Sequence, residues 1–318
     1  MTFFQAGTVL VNFKPYRKLN FIILNKDTHK GLGFLIIGDW GREGSAEQYA
    51  TAAELARQAE YKQADFIIST GDNFYDNGVE STRDPLWQIS YERVYHQPAL
   101  QIPWYCILGN HDYRQSTSAQ ILYTRQSKRW HMPSRYYSEY MKVSENSDVH
   151  FIFTDTTPFI GEYWETEDHP EVLMQKPEEQ LIWLEQTLAE SKAKWKIVVG
   201  HHPVFSSSPM HGDTEELVTH FLPLFEEYGV DAYLCGHEHD LQLQKPDGNI
   251  MYLVSGAGSE VRATDRKEMT VFSSSDQGFA YMQLDDKKMD IAFINSQGQT
   301  IFNTSHSPVE SRLSKALG

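Results

Sequence analysis

Two cysteines in 318 residues exclude a disulfide-stapled framework. Cys106 and Cys235 sit in the apolar runs WYCIL and AYLC and lack CxxC spacing. They are expected as buried free thiols, with no cysteine metal site. Basic residues are scarce too: 28 Lys and Arg face 43 Asp and Glu, a formal net charge of -15. That balance argues against a nucleic-acid partner, which needs a basic surface to displace counterions. It also repels anionic substrates unless a local cation prevails, a charge that a bound multivalent metal supplies. No apolar run approaches the roughly 18 residues of a membrane span, so no membrane partner is expected. Residues 1–32 lack the basic start and unbroken apolar stretch of a signal peptide and read as an N-terminal extension. No Pro/Ser linker, repeat or low-complexity tract divides the rest.

Hydrophobic residues make up 40% and aromatics 13% of the chain, enough for a substantial core. Strand and helix patterns alternate. Buried strands are expected over 33–39, 64–72, 104–112, 149–155, 195–203 and 231–240. Helices are expected after Ser45, over 85–96, from Pro177 through EEQLIWLEQTLAES, and over 214–229. Short alternating strands dominate after about 241. Segments 156–176 and 256–277 read as surface loops that form site walls. The pattern implies an α/β sandwich of two mixed sheets with helices outside, formed by a single domain over 33–304, with a tail at 305–318.

Five expected strand ends carry metal-binding residue types. They are GDWG with Asp39, GDNFY with Asp72 and Tyr75, GNHD with Asn110 and His111, GHHP with His201, and GHEHD with His237 and His239. Ligands of open α/β sheets bind at the carboxyl ends of strands, so these loops are expected to converge. Each motif is weak alone; together they indicate a metal site. The donor count implies two metals, with the two carboxylate oxygens of Asp72 suited to bridge them. Oxygen and imidazole donors without thiolate suit Fe, Mn or Zn.

This ordered set resembles the metallophosphoesterase superfamily, and more narrowly the purple acid phosphatases of the small tartrate-resistant type. SKRWHMPSRYY, YGVDAYLCGHEHDLQ and YLVSGAG are similar to that group's flanking segments. The resemblance implies a four-layer sandwich and hydrolysis of phosphate monoesters by a metal-bound hydroxide. The wider superfamily opens with D-x-H; here Gly41 replaces that histidine, a gap the purple acid phosphatases fill with the tyrosine of GDNFY. By resemblance, Asp39, Tyr75 and His239 would hold Fe(III), Asp72 would bridge, and Asn110, His201 and His237 would hold a divalent Fe, Zn or Mn. His111 would face the substrate phosphate and His211, in PMHG, would help protonate the leaving group. His202 is expected to point elsewhere. Asp112 and Asp240 either orient ligand histidines or end turns. SGAGS, with Ser259 last, departs from the family's SGAGN. A small phosphate ester and inorganic phosphate are the implied partners, and a monomer the implied state. The family suggests a secreted or periplasmic setting. The alternatives are a phosphodiesterase or nucleotide hydrolase of the same superfamily, or a non-catalytic relative that binds metal or phosphate.

Overall fold

The computed structural model describes residues 31–246 and 249–309. The expectations for residues 1–30 and for the end of the C-terminal tail fall outside the described residues. The strands are β1 (Leu32–Ile37), β2 (Phe66–Ser69), β3 (Trp104–Cys106), β4 (Trp130–His131), β5 (Tyr137–Lys142), β6 (Asp148–Phe153) and β7 (Trp195–Val199), followed by β8 (Ala232–Cys235), β9 (Leu241–Gln244), β10 (Met251–Ser255), β11 (Thr270–Ser274), β12 (Gly278–Leu284), β13 (Met289–Asn295) and β14 (Thr300–His306). They form two seven-stranded sheets, ordered β14-β13-β12-β1-β2-β3-β4 and β11-β9-β10-β8-β7-β6-β5. Both are mixed: β1, β2, β3 and β4 run parallel, as do β6, β7, β8 and β10, and antiparallel strands extend the first set beyond β1 and the second on both sides.

Alternation within the apolar runs divides the core into layers. Phe34, Ile36, Phe66 and Ile68 of the first sheet pack with Phe151, Phe153, Ile197 and Leu234 of the second. Phe34 meets Phe151 edge-on across that interface, ring centres 5.2 Å apart. The intervening residues Leu35, Ile37 and Ile67 face outward against Ala52, Leu55 and Ala59 of helix α1 (Ala46–Lys62). Ile152, Val198 and Tyr233 face outward against Leu184 and Leu188 of α3 (Pro177–Glu190). Strands buried on both faces need continuous apolar sequence, which is why these runs show no polar alternation. Each fully buried large side chain contributes roughly 2 kcal/mol relative to exposure. The result is the expected four-layer order of helix, sheet, sheet, helix.

Several local expectations are corrected. The helix expected over 85–96 is a single π-type turn, Trp87–Glu92, in which the Arg93 amide bonds five residues back to the Gln88 carbonyl. The helix expected over 214–229 is two, α4 (Glu215–His220) and α5 (Leu222–Tyr228), broken at the buried Phe221. Pro223 lacks the N–H that would continue the hydrogen-bond ladder. Between them in sequence and α1 lies α2 (Thr117–Tyr123). Segment 156–176 holds three 3-10 turns, and 256–277 ends in edge strand β11. Strand β14 runs to His306, two residues past the expected domain end. Both cysteines are free and buried.

Candidate metal centre

Strands β1, β2 and β3 of one sheet and β7 and β8 of the other end at the same edge of the sandwich. The loop after each carries one expected motif. Asp39, Asp72 and His237 adopt left-handed backbone, with φ of 58°, 49° and 67°. Such conformations strain non-glycine residues and persist where surrounding structure imposes them, typically at functional sites. Here a buried frame adjoins Asp39 and Asp72, and the His237 amide is tied to Asp39 Oδ2 (2.9 Å). Trp40 Nε1 donates to Ser69 Oγ (2.8 Å), and Ser69 Oγ donates to Asn73 Oδ1 (2.6 Å).

All seven expected donors come together, in two groups that share Asp72. In the first, the Tyr75 hydroxyl lies 2.9 Å from Asp39 Oδ1, 2.9 Å from Asp72 Oδ2 and 3.0 Å from His239 Nε2. A phenol has one proton to donate, so it cannot satisfy two carboxylates at once. In the second, Asn110 Oδ1 lies 3.1 Å from His201 Nε2 and 3.2 Å from His237 Nδ1, and Asp72 Oδ2 is 3.5 Å from His201 Nε2. Metal–ligand bonds of about 2.0–2.2 Å place adjacent donors of an octahedron roughly 3 Å apart. The observed spacings match, and the crowded acceptors need a cation, so the residues present fit two ions.

Electrostatics lead to the same conclusion. Burial raises the Asp39 carboxyl well above its usual range. Burial also raises Asp72, but the His201 charge and then His111 outweigh it and hold the carboxyl well below. His201, opposed by burial, is drawn up to about 9 by the Asp72 charge. A proton thus occupies the charge position that a metal would take, and binding would expel it. Burial and then the Asp39 and Asp72 charges push the Tyr75 phenol well above 10, so only a strongly charged cation would ionise it. Arg42 stacks 3.9 Å over the Tyr75 ring.

Among the ligand imidazoles, His201 is held from behind. His201 Nδ1–H donates to the Thr70 carbonyl (2.9 Å), leaving Nε2 for the centre. His239 Nδ1 is buried without a hydrogen-bond partner, 3.8 Å from Glu260 Oε1. His111 lies beside the centre: its amide donates to Asp72 Oδ1 (2.9 Å) and its Nδ1–H to the Asp76 carbonyl (2.6 Å). Burial lowers its pKa. His211 reaches the rim, its ring centre 4.4 Å from that of His237.

Sequence reasoning missed Glu238. It is buried, 3.0 Å from His211 Nδ1, and accepts from Ser206 Oγ. Its place between two motif histidines was the available signal. His202 lies close enough to His201 and His237 for their donor atoms to fall within 4.8 Å. Its ring packs 4.5 Å from that of His237, so it does not point elsewhere as expected, but both its nitrogens are engaged, by Thr156 Oγ1 (2.8 Å) and the Tyr163 hydroxyl (3.1 Å). Asp112 binds no ligand histidine. It accepts from the amides of Gly109, Asn73 and Phe74 and from Gln120 Nε2, and so clamps the loops after β2 and β3 together. Asp240 likewise holds Gln242 rather than a histidine. Ser259 Oγ donates to the Asp39 carbonyl (2.6 Å).

Comparison with known proteins places this arrangement. The family model for calcineurin-like phosphoesterases matches residues 32–241. Human tartrate-resistant acid phosphatase type 5 is 36% identical over 299 residues, covering 86% of this chain and 90% of that protein. Purple acid phosphatase 17 of Arabidopsis thaliana is 39% identical over 284 residues, covering 85% and 82%. Among solved structures, that of GAP50, the anchor in the inner membrane complex of Plasmodium, is similar with a TM-score of 0.79 at 26% identity, covering 89% of this chain and 90% of that one.

Proposed function

Because this chain belongs to the calcineurin-like phosphoesterases, and within them to the purple acid phosphatases, we propose that it hydrolyses phosphate monoesters at a dinuclear iron-containing centre. Metal-dependent phosphoester hydrolysis follows from that membership. The observation that supports the finer reading is the Tyr75 hydroxyl, wedged between Asp39, Asp72 and His239. Asp39, Tyr75 and His239 would hold Fe(III). Asn110, His201 and His237 would hold a divalent ion, and Asp72 would serve both. Bound there, the ions would supply positive charge for the phosphoryl oxygens and acidify a water as nucleophile.

The chain's own groups do the rest. His111 is fixed through Nδ1 to the Asp76 carbonyl, so its Nε2 is the nitrogen left to hold a phosphoryl oxygen. His211 is fixed through Nδ1 to Glu238, so its Nε2 is left to give a proton to the departing alkoxide. The fold alone does not separate an enzyme from an anchor such as GAP50. The complete donor set and both histidines favour the enzyme.

The test combines the visible spectrum of the purified protein with phosphate release. A violet charge-transfer band and turnover of p-nitrophenyl phosphate well above that of its diester are expected. A colourless protein with two zinc or manganese ions bound would remove the ferric assignment, and faster diester turnover would remove the monoester reading.

A further inference from the structure

Beside His111 lies a cation that this mechanism does not use. Arg114 closes the 3-10 turn that His111 opens, and the two side chains reach the same oxygen. The Asp76 carbonyl is 2.6 Å from His111 Nδ1 and 3.3 Å from Arg114 Nη1. That is the one hydrogen bond of the Arg114 side chain among the described residues. Its Nε is buried without a partner, and among the described residues it forms no ion pair.

Other arginines at this rim are neutralised. Arg42 lies 2.6 Å from Glu260 and 3.6 Å from Asp76, and Arg262 lies 3.9 Å from Glu260. In a chain with 43 acidic and 28 basic residues, an arginine without a carboxylate retains its capacity for an anion. Across from it, the buried His169 has an unpartnered Nε2, and its pKa is lowered by burial and then by the Arg114 charge. The neighbours are thus this imidazole and, beside it, Asp168, which forms no ion pair with Arg114 among the described residues. Residues three apart in a 3-10 turn share a face and stand about 6 Å apart along it. Arg114 therefore stands one step beyond His111, the group assigned above to the phosphoryl oxygens, and shares the Asp76 carbonyl with it.

We propose that Arg114 is a specificity-determining residue that binds a second anionic group, phosphate or carboxylate, on the leaving group of a phosphate ester held at the metal centre. The inference rests on the phosphatase reading above. A guanidinium fork suits either anion bidentately.

Binding tests it without turnover. Calorimetry on the metal-loaded protein would compare butylphosphonate, 4-phosphonobutanoate and butane-1,4-diyl bisphosphonate. The two ligands with a second anionic group should bind at least about tenfold more tightly than butylphosphonate, as charge-assisted hydrogen bonds allow, and their ranking identifies which anion is preferred. Arg114→Met should erase that preference and leave butylphosphonate within about twofold, while Arg114→Lys, which keeps the charge but not the fork, should restore part of it. Absence of any preference in the wild type, whether all three bind or none does, overturns the proposal. So does a preference that survives Arg114→Met. Hydrolysis of the matching esters is a separate readout: a preserved binding preference with no phosphate released would sink the phosphatase reading and leave the Arg114 subsite standing.

Discussion

A phenol with two carboxylates and an imidazole at hydrogen-bond distance has more acceptors than its single proton can serve. Removing the Tyr75 hydroxyl leaves the backbone untouched but takes away the one donor that would colour bound iron. Tyr75→Phe should abolish a violet band while the protein remains folded and keeps its divalent ion; retained colour would mean another ligand set. The second test at this scale concerns the His211–Glu238 pair. General-acid groups typically give 10²–10⁴-fold, and the benefit is felt by poor leaving groups. His211→Ala should slow an alkyl phosphate by about 100-fold and p-nitrophenyl phosphate far less. Glu238→Ala frees the same ring without removing it and should reproduce the pattern at about tenfold. Equal losses on both esters would show that the pair positions substrate and does not donate the proton. The histidine was legible in PMHG; its partner was not, because a glutamate between two motif histidines looks like a solvated residue until burial is known.

Loops, not strands, assemble the site, and glycine makes their approach feasible. A Cβ built on Gly41 would lie 1.8 Å from the Asn73 carbonyl oxygen. The space that a histidine would need after the first strand is therefore filled by the backbone of the loop that carries Tyr75. Gly41→Ala should push that loop away, destabilising the metal-free protein by at least about 2 kcal/mol and weakening iron binding together. Urea midpoints after chelation and iron content would check both, and an unchanged midpoint would show that the loop has room to yield. At this scale the strands ending in the five motifs were legible because their apolar runs are long and bounded by glycine. Lengths were overestimated there: β3 is three residues, since ILGNHD leaves the sheet to form the site. The break at Phe221 was missed because LVTHFLPLF keeps helical spacing across Pro223. Edge strand β11 was missed because TVFSS is short and polar on one side, as sheet edges often are. The clamp by Asp112 was invisible because its partner across the loops, Asn73, lies 39 residues away in sequence.

For the whole molecule, activity at acid pH requires a fold that tolerates acid, and buried titratable groups outside the ligand set oppose one another. Burial, then the charge of Lys196, lowers His150 to about 3. Burial, then Lys245, lowers His306 to about 4. In the unfolded chain these rings accept a proton below about 6.5. The stability tied to keeping them neutral is therefore present above 6.5 and is lost as pH falls toward 3 or 4. Asp155 and Asp231 are raised by burial to about 7. Unfolded, they release the proton above about 3.9, so their contribution is full below that value and is lost as pH rises through 7. Between about pH 4 and 6.5 the two histidines weaken the fold on acidification while the two acids strengthen it, and the slopes largely cancel. Removing one side exposes the other. His150→Phe keeps a ring stacked 3.9 Å from Tyr140 and gives up only the bond to Ser191. Between pH 7.5 and pH 5 this variant should gain about 2 kcal/mol relative to wild type, from 1.5 pH units at 1.36 kcal/mol each. Asp231→Asn should move the opposite way over the same interval. Urea midpoints of the chelated proteins at the two pH values decide: parallel profiles for His150→Phe and wild type would mean that His150 is protonated in the folded chain, and that acid tolerance here has another source.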